Sequence, residues 1–111
     1  MKLNIIIFIT ILYFSNVSGI TLQSVYDESE SLNGYDKYLI LERETIYTGE
    51  VGIYEGSVFI EGNGAILDLN QGLGIWVYAD EDYPANLDIE YLTIINGGYN
   101  GLTFNGTSNK P

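Results

Sequence analysis

Two groups of side chains in this sequence have types and spacings suited to chemistry. Asp80-Glu81-Asp82 sets three carboxylates in a row, and hard oxygen ligands on a loop are what Ca²⁺ takes. Calcium wants about six to eight oxygens. The remaining ligands are not identifiable, so the simpler reading is a solvated charged loop. Just upstream, Trp76 and Tyr78 share one face of a short β-favouring run, beside those carboxylates. Rings that are apolar with a polar handle are a common platform for sugars. The plainer reading of Trp76 is stacking on the equivalent residue of a neighbouring strand, Thr103.

Other constellations are weaker. Asp68, Asp80, Asp82, Asp88 and Glu90 are the carboxylates from which a glycoside-hydrolysing pair would be drawn, but no pair stands out. Gly62-x-Gly64 starts a dinucleotide fingerprint, yet position 67 is Leu and no helical pattern follows. Gly97-Gly98-Tyr99-Asn100 does not complete the calcium-binding nonapeptide. Asn105-Gly106-Thr107 matches the N-glycosylation sequon. With no His and no Cys, the segment has no catalytic triad, imidazole ligand, thiolate zinc site or disulfide. Its formal net charge of −11 argues against nucleic acid as a partner, because phosphates need Lys or Arg.

The N-terminus reads as an address. Residues 1–19, MKLNIIIFITILYFSNVSG, open with Lys2, continue through an apolar run from Leu3 to Phe14 and end in small residues. That is the plan of a secretory signal peptide, with cleavage predicted between Gly19 and Ile20. The apolar run is shorter than the roughly 20 residues a membrane-spanning helix needs. Membrane contact is therefore expected only in transit. Cleavage leaves 92 residues of the 111, with 3 basic against 15 acidic side chains, a net charge of −12. The expected location is secreted, extracellular or at the cell surface.

The elements that position these residues follow from texture. Residues 20–37 are polar and acidic and read as a lead-in or short cap. From 38 to 111, short runs rich in Ile, Leu, Val, Tyr and Thr alternate with Gly, Asn and Asp, which is strand and turn composition. No apolar spacing of helical period runs over a helical length. Within each run, aliphatic residues alternate with mixed or polar ones, so each strand should bury one side. Gly74-Ile-Trp-Val and Gly101-Leu-Thr-Phe repeat at an offset of 27. Ala65-Ile-Leu and Leu92-Thr-Ile share that offset, and Val58-Phe-Ile and Leu87-Asp-Ile lie 29 apart. Three short strands recurring every 27–29 residues predict an all-β solenoid coil rather than a hairpin-built sandwich.

The stretch Tyr54–Asp68, YEGSVFIEGNGAILD, resembles the opening coil of right-handed parallel β-helix proteins of the pectate-lyase-like superfamily, through Val58, Ile60, Gly62, Gly64, Ala65 and Asp68. Leu87–Gly97 and Asn100–Gly106 resemble the strands that follow. The resemblance implies a parallel β-helix of two to three N-terminal coils, with further coils of a longer chain as partner. It marks fold better than activity, since lyases, hydrolases and adhesins share it. The resulting expectation is a structural, adhesin-like or glycan-binding solenoid with no catalytic site in this segment, meeting polysaccharide or a cell-surface glycan. The alternative is the opening of a polysaccharide lyase or glycoside hydrolase whose catalytic residues lie in later coils.

Overall fold

The computed structural model describes residues 20–106. The signal-peptide reading of 1–19, Thr107 of the sequon and Lys110 lie outside them. One helix, α1 (Leu22–Glu28), is followed by ten strands: β1 (Glu30–Leu32), β2 (Tyr35–Ile40), β3 (Ile46–Thr48), β4 (Val51–Ile53), β5 (Gly56–Glu61), β6 (Ile66–Asp68), β7 (Ile75–Ala79), β8 (Ala85–Glu90), β9 (Thr93–Ile95) and β10 (Leu102–Gly106). The described chain is therefore all-β in class. The helix lies within residues 20–37, read as a lead-in or short cap, and is an element that the absence of a long helical period did not announce. Thr21 caps it, its Oγ1 accepting from Ser24 N–H at 3.1 Å, and its single buried side chain, Leu22, fastens it to the strands. Seven residues do not hold a helix alone in water; burial of that leucine stabilises it by about 2 kcal/mol. Strand β2 also starts at Tyr35, earlier than the texture change at Tyr38, because β1 pairs with it antiparallel across the Asn33-Gly34 turn.

The strands form three sheets: a first of order β1-β2-β5-β8, a second of order β3-β6-β9 and a third of order β4-β7-β10. From β2 onward the chain visits first, second and third sheet in unbroken rotation, and each of these pairings is parallel. The registers match the sequence offsets: Ile75 faces Leu102, Leu67 faces Ile94 and Val58 faces Leu87. One round earlier the spacing is shorter. Lys37 pairs with Val58, Ile46 with Ile66 and Val51 with Ile75, which are 21, 20 and 24 positions apart.

Alternate side chains point inward and stack on their partners in the next round. Leu39, Tyr47, Val51 and Ile53 are buried, as are Ile60, Leu67, Ile75 and Val77 in register with them. The hydroxyl of Tyr47 accepts the backbone N–H of Glu42 at 2.8 Å, so this inward phenol leaves no unmet polar group. Residues 20–22 close the N-terminal end: Thr48 N–H donates to Ile20 O, Thr21 bridges Thr48 in parallel, and Leu22 is fully buried. At the opposite end β8, β9 and β10 are all sheet edges, and the inward-column residues Leu102 and Phe104 are 42% and 58% exposed.

The corners use Asn and Gly in two different ways. Asn63, Gly64, Asn70 and Asn96 take left-handed backbone, as turn Asn and Gly do. Gly62 does not. It is needed because a Cβ there would lie 2.5 Å from Tyr91 O, one round on. Asn amides cross between rounds to other groups instead of forming a ladder among themselves: Asn63 donates to Leu41 O and Asn96 to Asp68 Oδ1.

Candidate functional site

Strand β7 runs Ile75-Trp76-Val77-Tyr78-Ala79. Ile75 and Val77 are buried, so Trp76 and Tyr78 stand on the outer face of the third sheet. Trp76 pairs with Gly52 on β4 and Thr103 on β10. The absent side chain at Gly52 decides what the indole does. A Cβ at residue 52 would sit 2.7 Å from Cε2 and Nε1 and 2.8 Å from Cζ2 of Trp76. The Nε1 edge of the ring therefore lies across the β4 backbone, leaving the indole half-buried. Its Nε1–H donates to Tyr54 Oη at 2.9 Å, which fixes the ring's orientation. Ile53 pairs with Val77, so Tyr54, just beyond β4, comes level with Tyr78. Tyr54 is 58% and Tyr78 38% exposed. Three aromatic side chains thus share one outer face, one of them locked by a hydrogen bond.

The acidic loop leaves the end of the same strand. Asp80 Oδ1 accepts from Asp82 N at 2.9 Å and Tyr83 N at 2.7 Å, and Asp80 N–H donates to Tyr83 O. The residues between β7 and β8, 80–84, replace the two between β4 and β5 one round earlier. One Asp80 oxygen is thus turned onto backbone. Among the described residues no three acidic side chains gather as a metal site. Asp80, Glu81 and Asp82 are consecutive on the turn that these Asp80 hydrogen bonds close.

Several of the carboxylates considered for hydrolysis are held by other groups of the chain. Asp68 Oδ1 accepts from Asn70 N and Asn96 Nδ2. Asp88 and Glu90 lie exposed on the outer face of β8, and Asp88 Oδ2 accepts the hydroxyl of Tyr35 at 2.6 Å. Asp68, Asp80 and Asp88 thus each already accept hydrogen bonds within the chain.

No family model, no curated protein and no solved structure matches this chain. The site is therefore read from its own geometry.

Sequence reasoning singled out Trp76 and Tyr78 but missed Gly52 and Tyr54. Both meet Trp76, 24 and 22 positions on, short of the 27–29 repeat, so no repeat in the sequence points to them. It also missed a second aromatic group on the outer face of the first sheet. The rings of Tyr38 and Phe59, in register on β2 and β5, stack at 4.8 Å with 19° between planes. Tyr35 tilts against Phe59 at 5.1 Å. These rings cover one another, so they cement neighbouring rounds more than they offer a platform.

The Tyr35–Asp88 bond has a measurable consequence. The hydrogen bond to Asp88 raises the phenol of Tyr35 above its ordinary value of about 10, with the Asp88 charge acting in the same sense. A raised value means the neutral phenol is favoured on folding. Its contribution is complete below about pH 10 and is lost as pH rises through the folded value. Following phenolate absorbance against pH, Tyr35→Phe should remove a late-titrating phenol. If the late phase persists unchanged in the variant, the bond does not govern this phenol.

Proposed function

We propose that this chain is the opening of a secreted, right-handed parallel β-helix of the pectate-lyase-like superfamily, serving as an adhesin-like, glycan-binding solenoid. The signal peptide would end at Gly19, and residues 20–37 would begin the mature chain as its cap. The rotation of strands through three parallel sheets supports the β-helix reading, because parallel neighbours joined by crossovers need such a winding. Further coils of the same chain are the partner proposed for the open end. Three parallel edges above exposed inward-column residues suit one more round of the same kind, and exposed edges otherwise invite association.

The glycan reading rests on one observation above the others, the indole laid over Gly52 with its N–H held by Tyr54. A glycine inside a strand costs about 0.5–1 kcal/mol of stability. Here it makes room for a pre-oriented ring beside two exposed phenols, the arrangement sugars stack on. In a glycan-array assay, with and without Ca²⁺ to probe the acidic loop, the wild-type chain should bind. Trp76→Ala should weaken binding roughly five- to tenfold with the strand circular-dichroism signal retained. Gly52→Val should do the same by displacing the indole. Wild-type binding that both variants leave unaltered would exclude this face, and no binding under either condition would end the glycan reading.

A further inference from the structure

The charge around the aromatic face points to a kind of sugar. The inference rests on the glycan reading and narrows it. The strands of the third sheet carry no charged residue, while the corners that flank them hold Glu50, Glu55, Asp80, Glu81 and Asp82 and, among the described residues, no base. The two cations among the described residues are spent elsewhere. Lys37 Nζ donates to Tyr26 O at 2.8 Å and stands 4.5 Å over the Tyr26 ring, at the helix α1. Arg43 lies on the corner between the first and second sheets, 3.8 Å from Glu44 Oε1.

A uronic-acid polymer would meet carboxylates with nothing to neutralise it. A neutral sugar would gain ring stacking alone. A protonated amine on the sugar gains twice, from the negative face of the indole and from the surrounding carboxylates. Trp is the best aromatic partner for a cation. We propose that the Trp76–Tyr54–Tyr78 face binds glycans carrying free, protonated amino groups, the chemistry of a de-acetylated amino-sugar polymer, in preference to acetylated, neutral or acidic ones.

Trp76 is the one tryptophan in the sequence, so intrinsic fluorescence reports on this site. The test titrates the full chain with free-amine glucosamine oligomers, N-acetylglucosamine oligomers of equal length and galacturonate oligomers. The free-amine oligomer should bind roughly tenfold tighter than the acetylated one. Its advantage should shrink as ionic strength rises from about 0.05 to about 0.5 M. Asp82→Asn should weaken the free-amine oligomer severalfold and leave the acetylated one unchanged. Equal or tighter binding of the acetylated or galacturonate oligomer would overturn the charge selection while leaving the platform standing. An oligolysine of matched charge that binds as tightly, with the same fluorescence change, would overturn recognition of the sugar. No fluorescence response to any oligomer would overturn both this inference and the platform.

Discussion

Leu67→Ala is expected to lower the unfolding free energy by about 3 kcal/mol. Leu67 is fully buried in β6, the middle strand of the second sheet, with Tyr47 and Ile94 in register on either side. Truncation removes three carbons from the centre of the stack. The neighbours are held by parallel ladders on both sides, so they close the gap poorly, and the cavity term adds to the lost transfer energy. A domain of this kind is stable by about 5–15 kcal/mol, so the loss is a large share of the whole. Urea titration should show the midpoint falling with an unchanged slope. A shift below about 1 kcal/mol would mean that the rounds do not share one packed interior.

The second large effect is expected at a corner. Gly74 lies just before β7, and a Cβ there would be 2.0 Å from Gly101 O and 2.6 Å from Gly101 C. Both are backbone atoms of the next round, and Ile75 N–H donates to that same carbonyl at 3.0 Å. No side-chain rotation relieves the overlap. Gly74→Ala must therefore push the last round away, at a cost of about 2–3 kcal/mol, and loosen β10 from β7. Hydrogen exchange should then show the amides of Leu102–Gly106 losing protection while those of β2 and β5 keep theirs. Unaltered protection of β10 would refute the close approach. Gly64→Ala is the contrast, because nothing lies within 4 Å of a Cβ there and only the left-handed backbone, φ +84°, resists. Its cost should be near 1 kcal/mol and confined to the corner.

Much of the architecture was legible because a strand side chain repeats every second residue and a stacked round repeats its inward residues. Val58 and Ile60, Ile75 and Val77, and Leu87 and Ile89 alternate with outward residues. Their 27- and 29-residue offsets are the registers of the second and third rounds. The first round was hidden by its short corners. Two residues join β3 to β4 and two join β4 to β5, where six and five stand one round later, so its spacing slips to 20–24. The helix was hidden for another reason: its core-facing residues, Leu22, Val25 and Tyr26, span little more than one turn, too short a run to stand out as helical period.

The candidate site divides in the same way. Alternation placed Trp76 and Tyr78 outward, and composition left the chain acidic without His or Cys; these are local properties, read along the strand. What sits beside Trp76 is set by pairing between rounds. Only the folded chain brings Gly52 under the indole and Tyr54 to its N–H, because residues more than twenty positions apart become neighbours through a register that loop lengths decide. Which side chains face out follows from alternation along each strand. Which of them meet follows from pairing between rounds, because a parallel stack makes neighbours across the chain and not along it.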